Sequence, residues 1–135
     1  TCPAPTASPG ITTTYTLTVT NNGGCSSNDA VTVFVICNNE NIFMPNTFSP
    51  NGDGMNDIYY PRGRGINTIR SLRIFTRWGQ QVFARQNFNA NEITFGWDGN
   101  FKGAQLAADV YVYILELVCE NRTILSLKGD ITLIR

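Results

Sequence analysis

Strict alternation of apolar and polar residues marks the N-terminal part of the chain. In residues 14–20 the apolar positions alternate with threonine, and residues 31–35 repeat the pattern with valine. Successive side chains of a strand point to opposite faces, so this period of two predicts two strands joined by a turn at residues 21–24. Two strands are not stable alone, and residues 1–37 are therefore expected to belong to a larger β structure.

Strand patterns also fill residues 38–135, where no helical period is found. The most apolar run, residues 110–119, is expected to lie at the centre of a sheet. Turns rich in glycine and asparagine separate the strands at intervals of about ten residues, which is typical of a β-sandwich. The sequence thus predicts an all-β, immunoglobulin-like antiparallel β-sandwich. Its expected strands are residues 69–78, 81–84, 110–119, 124–127 and 131–134.

The pattern of residues 14–35 resembles the last two strands of an immunoglobulin-like surface repeat of the polycystic-kidney-disease type. An equal alternative is a two-stranded arm that packs on the following domain. The first interpretation divides the chain into the end of such a repeat, residues 1–37, and a C-terminal domain, residues 38–135. The boundary is the polar run at residues 38–41.

Residues 45–57, PNTFSPNGDGMND, consist mostly of loop-forming residue types. Proline lacks an amide donor, glycine weakens regular structure, and asparagine and aspartate bond to their own backbone, so neither a helix nor a central strand is expected. Phe48 and Met55 supply apolar anchors. The stretch is predicted to be an ordered loop attached to the β domain.

The same loop offers oxygen ligands at a spacing that calcium loops use. Asn51, Asp53 and Asp57 partly match the D-x-[DN]-x-[DN]-G pattern and form a candidate calcium site. Ser49 and Tyr60 stand where the pattern requires its first aspartate and its last glutamate. The favoured alternative is a network of turns in which side chains satisfy loop amides, and no other cofactor is expected. The network would use Asn46, Asn51, Asp53 and Asn56.

The composition argues against an enzyme and against a nucleic-acid partner. The 135 residues include no histidine, and 10 basic and 10 acidic residues give a formal net charge of zero. The commonest general base is therefore missing, and no charged footprint for nucleic acid or an anionic membrane is visible. The longest apolar run is too short to span a bilayer, so no direct membrane insertion is expected.

Two other hypotheses stay open at the sequence level. Paired carboxylates could hydrolyse a glycoside, although here they lie in turns where acids mainly bond backbone amides. Aromatic residues and the loop at 45–57 would suit a calcium- or carbohydrate-binding adhesive module. The second of these is the main alternative to the function described below.

Four widely spaced cysteines predict disulfides in an oxidising compartment rather than a zinc site. Three pairings are open. We favour Cys2–Cys25 with Cys37–Cys119, because each bond then closes one of the two proposed segments.

Five motifs, taken in order, resemble one known family. They are IFMPNTFSPNGDGMND at residues 42–57, RWGQQVF at 77–83, GWDG at 96–99, VYVY at 110–113 and KGDITLIR at 128–135. By these motifs, residues 38–135 resemble the gliding-motility-associated C-terminal domain of Bacteroidota, also called the type B sorting domain of the type IX secretion system. The departures are Thr76, where the family commonly has Asn or Asp, and Met55, where Ile is usual.

The resemblance implies a non-catalytic sorting domain at the C-terminus of a large secreted, adhesin-like surface protein, which folds in the periplasm before export. It implies the outer-membrane translocon and PorP/SprF-type outer-membrane proteins as partners, with retention at the cell surface. The motif positions that would take part in partner recognition are Pro45, Asn46, Phe48, Pro50, Asn51, Gly52, Asp53, Gly54, Asn56, Asp57, Arg77, Trp78, Gly79, Trp97, Asp98, Gly99, Lys128, Gly129, Leu133 and Arg135.

The last residues of the sequence alternate as a strand that is expected to pair up to its final residue. Ile131 and Leu133 would fill the core, and Arg135 would keep its guanidinium and the terminal carboxylate free for a partner. On this interpretation the chain end is itself a recognition element. The alternative is a closing strand that serves folding alone.

Overall fold

The computed structural model describes residues 6–135, and the regular structure in this range is almost entirely β-strand. Its helical content is two short 3-10 turns, Asn39–Asn41 and Ile93–Phe95. The predicted all-β sandwich is confirmed. The strands are β1 (Thr13–Thr20), β2 (Ser26–Val33), β3 (Ile42–Phe43), β4 (Thr47–Phe48), β5 (Arg62–Gly63), β6 (Ile66–Thr76), β7 (Gln81–Phe88), β8 (Asn100–Phe101), β9 (Ala104–Gln105), β10 (Asp109–Cys119) and β11 (Ile124–Leu133).

Five strands form the main sheet in the order β4-β11-β10-β6-β7. Strand β10 lies at the centre, as its apolar sequence predicted, and pairs antiparallel with β6 and β11. Strand β7 returns antiparallel from β6 through a turn in which Gly79 has φ 84°, a left-handed conformation that glycine adopts without a steric penalty. The short strand β4 joins the other edge by parallel pairing with β11.

The core lies on one face of this sheet. Alternate residues of β10 point to that face, and Tyr111, Tyr113 and Leu115 among them are buried. Tyr59 and Trp97 pair with each other through an isolated bridge and pack their rings against these tyrosines. The short pairs β3–β5 and β8–β9 belong to the same covering layer.

Strand β11 differs from its prediction. Residues 128–130 were expected to form a turn between two strands, but β11 runs unbroken from Ile124 to Leu133. Gly129 lies opposite Tyr113, and a Cβ at this position would be 2.9 Å from Tyr113 Cε1. The glycine therefore makes room for a packed aromatic ring and does not form a turn.

Strand β7 is longer than predicted. The pattern suggested a strand that ends at Ala84 and a loop that includes Phe88, but the strand continues through Phe88. Phe88 is buried and pairs with Ile69 of β6. Because Phe88 is buried, β7 stays paired with β6 through the polar residues 85–87.

The N-terminal hairpin has the predicted turn. Strands β1 and β2 pair antiparallel, and the Asn21 Oδ1 accepts hydrogen bonds from the backbone amides of Gly23 and Cys25. Strand β2 begins earlier than the valine pattern indicated, at Ser26, and ends at Val33. The assignment of this hairpin to an immunoglobulin-like repeat stays a prediction.

The disulfide between Cys37 and Cys119 is confirmed. It joins the entrance of the C-terminal domain to the end of the central strand. Cys25 is exposed and bonds no other cysteine of the described range. Cys2 lies outside the described residues, so the pairing Cys2–Cys25 stays a prediction.

Candidate functional site

The loop at residues 49–57 is closed by the carboxylate of Asp57. The Gly52 amide donates to Asp57 Oδ1 at 2.7 Å, and the Gly54 amide donates to Asp57 Oδ2 at 2.8 Å. Both glycines have positive φ, near 83–84°, which brings their amides round to one carboxylate. These two bonds lower the pKa of Asp57, since they stabilise its ionised form.

Further hydrogen bonds order the rest of this loop. Asn51 Oδ1 accepts from the Asp53 amide at 3.0 Å, and Asp53 Oδ1 accepts from the Met55 amide at 2.7 Å. The Ser49 amide donates to the Asn56 carbonyl at 2.9 Å. The predicted network of turns therefore exists, with Asp57 at its centre in place of the side chains of Asn46 and Asn56.

The candidate calcium ligands are occupied by these contacts. Both carboxylate oxygens of Asp57 and both of Asp53 accept hydrogen bonds inside the loop. Within residues 6–135 no group of three or more His, Cys, Asp or Glu residues is arranged to hold a metal ion. The loop is thus ordered by its own side chains.

Several predicted contact residues meet at one end of the main sheet. Thr76 at the end of β6 lies beside Tyr111 near the start of β10, and Leu133 at the end of β11 lies beside Phe48 of β4. The turn that follows β6 and the loop that follows β4 therefore emerge at the same end. We call residues 49–57, 77–80 and 98–100, together with Arg135, the loop end.

The turn at residues 77–80 is exposed at the loop end. The Trp78 side chain is 88% exposed. Arg77 Nη2 lies 2.6 Å from Asp109 Oδ1, an ion pair that ties this turn to the start of β10. No sequence pattern indicated a role for Asp109, because the pairing of β6 with β10 brings the two side chains together.

The turn at residues 98–100 is built around a second aspartate. Asp98 Oδ1 accepts from the Asn100 amide at 3.0 Å, and Trp97 Nε1 donates to the Asn100 carbonyl at 3.0 Å. Gly99 is buried with φ 75°, and a Cβ there would lie 2.9 Å from Pro50 Cγ. Glycine thus allows this turn to approach the loop at residues 49–57.

Arg135 differs from its prediction. Its guanidinium is not free but donates to three backbone carbonyls, those of Leu106 at 3.1 Å, Pro50 at 3.3 Å and Gly99 at 3.4 Å. Strand β11 ends at Leu133, although the Ile134 amide still donates to the Phe48 carbonyl at 3.1 Å.

Three predicted contact residues are core residues. Phe48, Trp97 and Leu133 are at most 2% exposed, so their side chains cannot touch a partner. The Phe48 ring packs on Trp97 with centroids 5.2 Å apart, and this packing fixes the positions where the loop and the turn begin. Met55, expected to be a second anchor, is 69% exposed.

The remaining residues that were predicted to contact a partner lie outside the loop end or beside it. Lys128 and Gly129 are in the middle of β11, away from the loop end. Pro45 is half-buried, and the Asn46 carbonyl accepts from Thr132 beside the edge of the sheet. Among the aromatic residues considered for sugar stacking, Tyr59, Tyr111, Tyr113 and Trp97 are buried, and Tyr60 and Phe101 are half-buried.

A groove beside the loop was not foreseen from the sequence. Arg62 lies over the Tyr60 ring, 4.6 Å from its centroid, and Ile58 and Ile93 line the same depression of about 430 Å³ next to Asp57. Residues 58–62 and 93 approach each other only because Tyr59 pairs with Trp97. No local sequence signal could have predicted this contact.

The N-terminal part of the chain joins the domain at the opposite end of the sheet. Cys119 and Ile66 are paired there, and the Glu120 amide donates to the Gly65 carbonyl. The Gly65 amide in turn donates to the Gly10 carbonyl, and Glu120 Oε2 accepts from the Thr12 amide. The hairpin of β1 and β2 is thus held at the end of the sheet far from the loop end.

A search of curated proteins finds no match to this chain. No helix in the described part of the chain is long and apolar enough to cross a membrane. The family model described as the CHU_C type IX secretion signal domain matches residues 42–133, which confirms the resemblance found in the motifs. The chain belongs to the CHU_C type IX secretion signal domain family.

Proposed function

We propose that residues 38–135 are a folded sorting signal that carries a large, adhesin-like surface protein through the type IX secretion system and helps to retain it at the cell surface. Membership of the family supports a sorting role, an interaction with the secretion system, and export to the cell surface or the extracellular space. The family is a sorting family and not a family of enzymes. The finer parts of the proposal rest on the arrangement of the loop end.

The observation that carries the proposal is the position of the exposed contact residues. Trp78, Arg77 and the tip of the loop at residues 51–56 are exposed at the loop end, while the upstream chain joins the opposite end. A protein attached at the N-terminal side therefore leaves the loop end open to the secretion machinery.

The internal order of the loop end favours recognition. Loops that are already fixed lose little conformational entropy on binding, so more of the contact energy appears as affinity. An exposed tryptophan is among the residues that most often dominate a protein interface. Trp78 is the side chain that we expect to contribute most to partner binding.

The partners that we propose are the outer-membrane translocon and PorP/SprF-type outer-membrane proteins. On this proposal the protein folds in the periplasm before it is exported. The Cys37–Cys119 disulfide supports passage through an oxidising compartment, since such bonds form there and are rare in the cytosol. No observation favours a nucleic-acid partner for this neutral chain.

An export assay tests the proposal. The 135-residue chain is fused behind a periplasmic reporter in a type IX-competent bacterium, and protease access to the reporter at the cell surface is measured. We expect surface delivery, and its loss in a strain that lacks the translocon. A reporter that stays in the periplasm of the competent strain would contradict the sorting function.

A matched pair of aromatic substitutions then tests the proposed surface. Trp78→Ala removes an 88% exposed ring from the loop end, and Phe43→Ala removes a 58% exposed ring from β3. We expect the first to reduce export several-fold and the second to leave it unchanged, with similar melting temperatures for both. Equal export of the two variants would place the docking surface elsewhere.

A further inference from the structure

The Arg135 side chain connects three separate segments at the loop end. Its Nε donates to the Leu106 carbonyl, Nη1 to the Pro50 carbonyl and Nη2 to the Gly99 carbonyl, at 3.1, 3.3 and 3.4 Å. A guanidinium presents five N–H donors in one rigid plane, so a single side chain can bond carbonyls that approach from several directions. A lysine ammonium lacks this fixed planar arrangement of donors.

Hydrogen bonds inside the loop cannot replace these connections. The contacts of Asp57 with Gly52 and Gly54 close the loop on itself but do not attach it to the domain. Strand β4 is only two residues long, and its backbone pairing ends with the bond from the Ile134 amide to the Phe48 carbonyl. After Phe48, the next backbone group that is bonded to the rest of the domain is the Pro50 carbonyl, and its donor is Arg135.

We infer that Arg135 is a positioning residue of the recognition surface, an inference that rests on the proposed sorting function. Its guanidinium holds the loop at residues 49–57 against the turn at residues 98–100, and the partner contacts these two segments. Arg135 therefore acts on recognition through the loop that it holds and not by binding the partner itself. Arg135 thus contributes to recognition by fixing the position of the loop.

Three variants of the full chain test this inference. Arg135→Gln removes the charged fork, and Arg135→Lys keeps the charge and most of the aliphatic stem but loses the planar set of donors. Arg70→Gln is the matched control, because Arg70 is an exposed arginine of β6 outside the loop end. Solvent exchange of the Leu106, Ile134 and Leu115 amides is followed by NMR, and export is measured with the reporter fusion.

We expect Arg135→Gln to accelerate exchange of the Leu106 and Ile134 amides several-fold, because they bond the carbonyls of Gly99 and Phe48 in the segments that Arg135 holds, and to reduce export several-fold. Arg135→Lys should show smaller changes of the same kind, and Arg70→Gln should match the parent. The Leu115 amide, at the centre of the sheet, should exchange at the parental rate in all three variants. That rate separates a displaced loop from a domain that has lost its fold, and Arg135→Lys decides the question if Arg135→Gln unfolds the domain.

Two outcomes would overturn the inference. Normal export of Arg135→Gln would show that the contacts of Arg135 do not matter for recognition. Reduced export with unchanged exchange of the Leu106 and Ile134 amides would show that the partner binds Arg135 directly. If the parent chain itself is not exported, the proposed function fails, and the exchange rates alone then decide whether Arg135 positions the loop.

Discussion

Strand β1 of the N-terminal hairpin and strand β10 of the main sheet both have apolar residues at every second position, but their environments are opposite. Strand β10 also has apolar residues between these positions, whereas β1 has threonine. Leu115 of β10 is 0% exposed, whereas Leu17 of β1 is 63% exposed. Both strands pair antiparallel with a neighbour over most of their length. Antiparallel backbone pairing is thus common to the two regions, whereas burial differs.

The difference shows what an alternating pattern does and does not determine. Alternation assigns apolar side chains to one face of a strand, but burial requires a second layer that covers this face. In the main sheet, Tyr59 and Trp97 belong to that layer. In the hairpin, Tyr15, Leu17, Val19 and Val31 remain exposed, as expected for the end of a larger repeat, which is itself a prediction.

Breaking the disulfide should have the largest effect on this contrast. Loss of a native disulfide typically costs about 2–5 kcal/mol of stability, and Cys37 and Cys119 are separated by 82 residues. Cys119→Ser should lower the melting temperature of the domain and leave Cys37 open to alkylation. Cys25→Ser in the hairpin is the control and should leave the domain transition unchanged. An unreactive Cys37 in the first variant would contradict this bond.

A pair of leucine substitutions compares the two strands directly. Leu115→Ala opens a cavity at the centre of the core and should cost about 2–5 kcal/mol. Leu17→Ala removes an exposed side chain and should change the free energy of unfolding by less than about 0.5 kcal/mol. Denaturant unfolding measures both. Similar losses of unfolding free energy would mean that the apolar face of the hairpin is buried in solution.

Two glycines sharpen the comparison further. Gly129→Ala would place a Cβ 2.9 Å from Tyr113 Cε1, and overpacking of this kind costs typically about 1–3 kcal/mol. Gly10→Ala is the control, because no atom lies within 4 Å of the added Cβ. Thermal melting should separate the two variants. An unchanged melting temperature for Gly129→Ala would show that the Tyr113 ring can move aside.

Acid should weaken the loop at residues 49–57 more than the hairpin. The pKa of Asp57 is lowered from 3.8 by the amides of Gly52 and Gly54, so its contribution to stability is fully present above pH 3.8 and is lost as the pH falls through the lower folded pKa. NMR of the Gly52 and Gly54 amides should show this loss below pH 3.8. Asp57→Asn should abolish the transition, and the control Asp29→Asn in β2 should retain it. A transition that persists in Asp57→Asn would assign it to another group.

Calcium is expected to have the smallest effect. The carboxylates of Asp53 and Asp57 already accept hydrogen bonds from the loop, so neither addition of millimolar calcium nor its removal with a chelator should shift the melting temperature. The outcome bears on the alternative adhesive function. A clear rise in the melting temperature on addition of calcium would favour a calcium-binding module.

Much of the fold followed from local patterns in the sequence. The period of two predicted both strands of the hairpin, and the apolar run at residues 110–119 predicted the central strand. The type and spacing of residues also predicted an ordered loop at residues 45–57, and residues 49–57 form such a loop. These features depend on backbone preferences and on side chains that bond to amides only a few residues away, which is why sequence alone was sufficient.

The roles of single residues in the site were harder to predict. Trp97 was expected to contact a partner and lies in the core, and Arg135 was expected to be free and bonds three carbonyls. Gly129 was expected in a turn and lies in a strand beneath Tyr113. Each error concerns a contact between residues far apart in the chain.

The sequence by itself determined the hairpin, the central strand, the ordered loop and, through its motifs, the family. Tertiary structure alone decided which apolar faces are covered, which motif residues are exposed, and that the Arg135 guanidinium bonds three backbone carbonyls. The physical reason is that alternation and turn chemistry act over a few residues, whereas burial and the partners of a guanidinium depend on segments that only the folded sheet brings together.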